Sequence, residues 1–181
     1  MKTFSKKTFI LAVVIQLAVL AYMVMQREYL LSHGKKVMLK CQPVDPRSLL
    51  SGDYIILSFS ISRFDKELLD TLNKEKEKFQ KNDTVYVALD KGDNEKFWKA
   101  IEISSDYKKL KVKYPVVIKG VVDNLYTFSV RYGLESYFVP QNQGTKIEQQ
   151  MNNVHVEASV SESGESALSR LFLNDREVMF Y

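Results

Sequence analysis

The chain has 181 residues, of which 45% are hydrophobic and 27% are charged, and its formal net charge is +4. This composition is that of a folded protein with room for one domain besides a membrane segment. The basic residues are spread among acidic ones, so the sequence lacks the dense basic patch that binds phosphate backbones. We therefore expect no nucleic acid partner.

Near the N-terminus, residues 9–25 form an apolar run that only Gln16 interrupts. A helix needs roughly 17–25 residues to cross a bilayer. Lys2, Lys6 and Lys7 precede the run, and an excess of positive charge favours the cytoplasmic side. The pattern predicts an uncleaved transmembrane helix that contacts membrane lipid through residues 9–25, with its N-terminus in the cytoplasm.

A secretory signal peptide is the alternative, because it also combines a basic start with an apolar stretch. The end of the run, residues 22–27, contains no small-x-small cleavage site, which favours the anchor. Gly34 indicates where the helix ends. The predicted organisation is a cytoplasmic basic tail at 1–8, the transmembrane helix and its extension at 9–34, and an extracytoplasmic β-rich domain at 35–181.

Beyond the helix, alternating and β-branched patterns predict short strands. The strand-like runs are residues 37–41, 54–61, 84–89, 97–103, 114–122, 126–130, 154–160 and 167–173. Residues 64–81 have an apolar stripe at helical spacing and predict one amphipathic helix. We expect an α+β domain of six to eight short strands, mainly antiparallel, in a sheet or partly closed barrel.

Two segments carry a resemblance to a known family. Residues 52–59 read GDYIILSF and residues 131–140 read RYGLESYFVP, with PVDPRSLL upstream at 43–50. The order of these segments behind one apolar helix resembles the GDYXXLXY family, with Phe59 at the last signature position in place of tyrosine. The resemblance implies an uncharacterised bacterial single-pass protein of the inner membrane, often found beside a multi-spanning membrane protein that is a candidate partner.

The same segments contain polar residues that can form either a ligand site or an internal network that holds a loop in shape. The candidate polar cluster comprises Asp45, Arg47, Asp53, Tyr54, Arg131 and Glu135. The structural interpretation is that Gly52 and Asp53 form a turn before the strand begins. Both interpretations stay open from the sequence.

The sequence gives little support for catalysis or metal binding outside this cluster. A serine nucleophile with a lysine base, as in leader peptidases, lacks a serine in residues 40–45, before Pro46, and a matching lysine. Cys41 with His33 or His155 could pair as nucleophile and base, but no third orienting group accompanies them. We expect no catalytic residues, no metal site and no cofactor. The sequence thus favours a membrane-anchored accessory or interaction protein over the alternative, a small-ligand binding domain or hydrolase with a site between residues 43–54 and 131–140.

Overall fold

A computed structural model describes residues 6–43, 54–64, 79–92, 95–140 and 144–179. The helices among these residues are α1 (Lys6–His33), α2 (Tyr107–Lys111) and α3 (Gly144–Glu148). The strands are β1 (Lys35–Gln42), β2 (Tyr54–Ile56), β3 (Ser58–Phe59), β4 (Thr84–Asp90), β5 (Lys99–Ser104), β6 (Val116–Asn124), β7 (Ser129–Arg131), β8 (Ser136–Phe138), β9 (Val154–Val160), β10 (Ser166–Leu173) and β11 (Arg176–Glu177). Short 3₁₀ turns occupy Ser60–Ser62 and Met151–Asn153.

Helix α1 has the length and composition of a membrane span. Its most apolar window of 18 residues has a mean hydropathy of 2.4, and none of that window is buried against the rest of the protein. At about 1.5 Å per residue the helix is about 42 Å long, whereas the hydrocarbon core of a bilayer is about 30 Å thick. The described residues therefore include one candidate membrane span, although a signal sequence near the N-terminus would share these properties.

The last turn of α1 is bonded to the sheet that follows it. The carbonyl oxygen of Leu30 accepts hydrogen bonds from the Gly34 amide at 2.9 Å and from the Ser159 hydroxyl at 2.5 Å. The Arg27 guanidinium donates to the Ser166 carbonyl oxygen at 3.1 Å, and the Lys36 ammonium donates to the Leu31 carbonyl oxygen at 2.6 Å. These bonds attach the end of α1 directly to the folded domain.

Strand β1 begins next to this junction and lies inside a five-stranded sheet of order β11-β10-β9-β1-β3. Every pairing in this sheet is antiparallel, with Lys35 opposite Val160 and Leu39 opposite Val156. Alternate residues of β1 are buried, as expected of a strand with one face in a core. At its far end, Cys41 pairs with Phe59 of β3.

A second sheet of order β5-β4-β6-β7 shares the main hydrophobic core with the first. Val87 of β4 and Ile118 of β6 contribute to that core, together with side chains from β1 and β9. The opposite face of the second sheet is covered by α2, where Leu110 packs with Ala88 and Val117. A two-stranded ribbon of β2 and β8 completes the described β structure.

The predicted α+β class with mainly antiparallel strands is confirmed, and the described strands form three sheets without a closed barrel. The described strands are more numerous than predicted, in part because the run 54–61 divides: β2 pairs with β8, β3 pairs with β1, and residues 60–62 form a 3₁₀ turn. The run 126–130 becomes a turn followed by β7, since Phe128 has a positive φ of 39°. Residues 65–78 of the predicted amphipathic helix lie outside the described residues.

Replacing Gly34 with alanine is expected to destabilise the junction between α1 and the sheet. A Cβ atom at this position would lie 2.6 Å from the Leu30 carbonyl oxygen and would also clash with the Ser159 hydroxyl. Overpacking of this kind costs about 1–3 kcal/mol. Guanidinium unfolding of the full chain in mild detergent, followed by tryptophan fluorescence, should show a correspondingly lower free energy of unfolding.

Gly92→Ala is the matched control, because the nearest atoms to its added Cβ belong to the flexible side chain of Glu95. Its free energy of unfolding should stay within about 0.5 kcal/mol of the unsubstituted protein. Equal losses for the two variants would contradict the proposed role of close packing at the junction.

Candidate functional site

The two sequence motifs, residues 52–59 and 131–140, meet in the ribbon. Strands β2 and β8 are antiparallel, with Tyr54 opposite Phe138 and Ile56 opposite Ser136. The pairing is extended by a hydrogen bond of 2.7 Å from the Leu57 amide to the Glu135 carbonyl oxygen. Segments that are about 80 residues apart in sequence therefore form one structural unit.

The ribbon has a buried and an exposed face because side chains alternate along each strand. Ile55 and Leu57 are fully buried in the main core. The opposite face, which we call the outer ribbon face, consists of Ser136 and of Tyr54, Ile56 and Phe138, which are 41%, 43% and 78% exposed. The Tyr54 and Phe138 rings meet edge to face with centroids 6.4 Å apart.

The ribbon lies toward the end of β1 that is remote from α1. Leu57 directly precedes Ser58, which pairs with Gln42 at the end of β1. From Lys35 to Gln42, at about 3.3 Å per residue, β1 spans about 23 Å. The outer ribbon face is therefore separated from the helix junction by up to the length of β1.

A tight turn between β7 and β8 fixes the second motif. The Tyr132 hydroxyl donates to the Ile61 carbonyl oxygen at 2.6 Å, and the Tyr132 amide donates to the Glu135 carboxylate at 2.5 Å. Gly133 has φ +75°, a conformation that favours glycine. Burial, with a smaller contribution from Glu135, raises the pKa of the Tyr132 phenol well above its ordinary value, so the phenol stays protonated and donates.

Arg131 and Glu135, two members of the predicted polar cluster, border one shallow cleft of about 340 Å³. The Arg131 guanidinium pairs with the Asp123 carboxylate at 3.0 Å. Across the cleft the Lys119 ammonium pairs with Glu165 at 2.6 Å, and this hydrogen bond raises the pKa of Lys119. These charged side chains are therefore all paired: Arg131 with Asp123 and Lys119 with Glu165. Glu135 accepts the hydrogen bond from the Tyr132 amide.

Of the other predicted cluster members, only Tyr54 is among the residues that the structure describes. Tyr54 lies on the outer ribbon face and is not among the residues that line the cleft. Asp45, Arg47 and Asp53 lie outside the described residues.

Cys41 and His155 lie on neighbouring strands but on opposite faces of the sheet. His155 pairs with Lys40, so the next residue, Cys41, has its side chain on the other face. The His155 ring stacks on Phe172 with centroids 5.1 Å apart, and burial lowers the pKa of the imidazole. Burial also raises the pKa of the Cys41 thiol to about 12, so thiolate is scarce near neutral pH.

The third chemically reactive side chain, His33, belongs to the last turn of α1 and stacks on Tyr29 with centroids 4.4 Å apart. It is therefore in the helix junction, away from Cys41 in β1. Within residues 6–43, 54–64, 79–92, 95–140 and 144–179, no group of three histidine, cysteine or acidic residues is arranged to hold a metal ion.

Sequence reasoning missed β8 and the bond from Tyr132 to Ile61. Strand β8 has only three residues, which is too short for a periodic signal. Apolar residues on both faces of residues 54–57 indicate a strand without a fully polar face, but they do not identify the strand that pairs with its edge.

Tyr132→Phe should destabilise the domain without changing its shape. The substitution removes the hydroxyl that donates to the Ile61 carbonyl oxygen in a buried setting. Loss of such a bond costs about 1–2 kcal/mol. Urea unfolding in mild detergent should show this decrease, whereas Tyr126→Phe, at a side chain that is 96% exposed, should leave the free energy of unfolding unchanged. If Tyr132→Phe and Tyr126→Phe had equal free energies of unfolding, the hydrogen bond of Tyr132 would not contribute to the stability of the domain.

Comparison with protein-family models matches residues 16–171 to the family described as GDYXXLXY protein. The matched residues include most of α1, the ribbon, the cleft and the greater part of both larger sheets. No curated protein and no solved structure matches the chain. Because the family match extends over much more than half of the sequence, the chain belongs to the GDYXXLXY family.

Proposed function

We propose that this protein is a membrane-anchored accessory protein whose extracytoplasmic domain docks on a multi-spanning membrane protein through the outer ribbon face. The observation that carries the proposal is the exposure of Tyr54, Ile56 and Phe138 on a ribbon built from both motif segments. Apolar and aromatic side chains grouped on a surface are typical of protein contact sites, and aromatic residues often dominate their affinity.

The buried half of the ribbon accounts for part of the motif by packing alone. Ile55 and Leu57 fill the core, and the Leu57 amide is bonded to Glu135. Core packing does not account for Phe138, of which 78% is exposed. Docking explains why an aromatic side chain occupies this position, since its burial would contribute roughly 1.5–3 kcal/mol to binding.

Anchoring by an uncleaved α1 is supported by the length of the helix and by the lack of a small-x-small cleavage site in residues 22–27. Its last turns, which follow the apolar run, are bonded to the domain through Arg27 to Ser166 and through Leu30 to Ser159. We accordingly assign residues 1–8 to the cytoplasm, 9–34 to the membrane helix and its extension, and 35–181 to the extracytoplasmic side of the bacterial inner membrane.

A shared membrane strengthens a modest contact. Two proteins held in one bilayer meet at a high effective concentration, so a small docking surface is sufficient. The ribbon lies up to about 23 Å along β1 from the helix junction, so a partner segment that projects from the membrane could reach it.

The second candidate function is small-ligand binding at the cleft that Arg131 and Glu135 border. Its volume of about 340 Å³ is within the range of ligand sites. The pairing of Arg131 with Asp123 and of Lys119 with Glu165 favours an internal network instead. We therefore rank docking first.

Phe138→Asp should abolish docking. The tagged full chain is expressed in its native host, solubilised in mild detergent and purified with its partners. The unsubstituted chain should recover a multi-spanning membrane protein at near-equal amount, and Phe138→Asp should recover at least about tenfold less, because a carboxylate would be buried in an apolar interface.

Tyr126→Asp is the matched control, since it also replaces an exposed aromatic side chain with aspartate. It should retain the partner fully. The docking proposal would be overturned if the unsubstituted chain were purified without a partner. It would also be overturned if Phe138→Asp recovered as much of the partner as the unsubstituted chain.

Tyr126→Cys tests the orientation of the domain. In spheroplasts a membrane-impermeant maleimide should label this exposed position, whereas the buried Cys41, with its raised pKa, should react about a thousandfold more slowly. An N-terminal tag should stay on the labelled chain and should resist protease until the membrane is permeabilised. Labelling only after permeabilisation would contradict the extracytoplasmic placement, and loss of the tag would indicate a cleaved signal.

A further inference from the structure

Gln16 is a polar side chain in the middle of the apolar run of α1. It is more than about 10 Å along the helix from either end of the run, Phe9 and Met25. A glutamine side chain is too short to reach water from that depth, so its amide lies in hydrocarbon when α1 spans the membrane. Removing an amide from water without giving it a hydrogen-bond partner is unfavourable. This position therefore requires a partner for the amide.

The domain does not supply that partner. The other glutamine of α1, Gln26, donates to the Tyr22 hydroxyl at 2.6 Å. The Gln16 amide has no hydrogen bond among residues 6–43, 54–64, 79–92, 95–140 and 144–179. The domain buries none of the most apolar window of the helix. Since lipid tails offer no hydrogen-bonding group, the partner of the amide belongs to another membrane-spanning chain.

Gln16 lies on the side of α1 that faces the domain. An α-helix turns about 100° per residue, so Arg27, eleven residues later, points within about 20° of Gln16. The half-buried Leu30 and Leu31 point within about 40° and 60° of it. On this side the Arg27 guanidinium donates to the Ser166 carbonyl oxygen at 3.1 Å. The domain therefore extends over the face of the helix on which Gln16 lies.

This position of the domain distinguishes a second copy of the chain from a different protein. Packed helices have axes about 8–10 Å apart. A second α1 on this face would continue past Met25 into the space where β9 and β10 contact Arg27 and Leu30. A helix that ends near the membrane surface meets no such obstacle, and helices joined by short loops in a multi-spanning protein end in this way.

The neighbours of Gln16 on this face suit close helix packing. Ala12, one turn earlier, has a small side chain that allows two helix backbones to approach. Leu20 and Met23 continue the face toward the domain. Transmembrane helices associate through such packing together with hydrogen bonds between polar side chains.

We propose that the Gln16 face of α1, defined by Ala12, Gln16, Leu20 and Met23, packs against a transmembrane helix of the multi-spanning partner. The Gln16 amide exchanges hydrogen bonds with a polar side chain of that helix in the middle of the bilayer. The inference rests on the proposed membrane anchoring and partner. It adds a contact within the membrane to the contact at the outer ribbon face, and two linked contacts to one partner reinforce each other.

Site-specific photo-cross-linking in the native host tests the face of the helix. Benzoylphenylalanine replaces either Met23 or Met25 in the full chain, two exposed methionines of α1. Met23 points within about 20° of Gln16, whereas Met25 points about 180° away, so the two positions are matched in residue type and depth. We expect an adduct from Met23 to a residue within a membrane-spanning segment of the partner, identified by mass spectrometry, and loss of this adduct at Met25.

Equal adducts from the two positions would overturn the proposal, as would no adduct from Met23. Two differently tagged copies of the chain are expressed together to detect a second copy as the occupant. An adduct from Met23 that carries both tags would also overturn the proposal.

Moving the amide around the helix tests the hydrogen bond itself. Gln16→Leu should reduce recovery of the partner in mild detergent by about threefold to tenfold, with recovery measured relative to the chain in the membrane fraction. Gln16→Leu with Ala18→Gln returns the amide to the helix about 160° away and should not restore recovery. Gln16→Asn, which keeps an amide, should restore most of it. Unchanged recovery with Gln16→Leu, or full restoration by Ala18→Gln, would contradict the role of Gln16.

The same measurements separate this inference from the docking proposal. Recovery that depends on Phe138 while Met23 gives no adduct would refute only the contact of α1. An adduct from Met23 while Phe138→Asp recovers as much partner as the unsubstituted chain would refute only docking through the outer ribbon face. A chain found in the soluble fraction would refute the anchor, and with it the contact of α1.

Discussion

The carbonyl oxygen of Leu30 is the point on which the arrangement of the molecule depends. It accepts one bond from the Gly34 amide within the chain and another from the Ser159 hydroxyl of β9, so the end of the helix and the centre of the sheet share one acceptor. Only a residue without a side chain fits between them, because a Cβ atom at Gly34 would contact both partners. Helix α1 consequently has a set position relative to the sheet and is not connected to it by a flexible linker.

From this junction β1 extends to the region where the two motifs meet. Its first residue, Lys35, pairs with Val160, and its last residue, Gln42, pairs with the strand that follows the ribbon. Strand β1 thus connects the helix junction to the ribbon. The second motif provides another connection, because the Ser166 hydroxyl donates a hydrogen bond to the Tyr132 carbonyl oxygen at 3.3 Å.

Sequence patterns predicted the helix and strands whose positions depend on neighbouring residues alone. The alternation in β1 is visible because burial of one face imposes a period of two on the sequence. Helix α1 is visible because its apolar run has the length of a membrane span. The division of residues 54–61 was not predictable, since it depends on which distant strand pairs with each half. The same applies to the site: Tyr132 bonds to Ile61, 71 residues away, and nothing near Tyr132 in the sequence identifies that acceptor.

The position of β1 also has a consequence for biogenesis. Its neighbour β9 lies late in the chain, and Lys35 pairs with Val160, 125 residues further on. At about 5–20 residues per second, β1 would wait roughly 6–25 s after synthesis for that partner. During this interval the edge of β1 that later pairs with β9 is unpaired, which promotes aggregation. The fold closes only when nearly the whole chain has been made, so a prematurely terminated product would remain open.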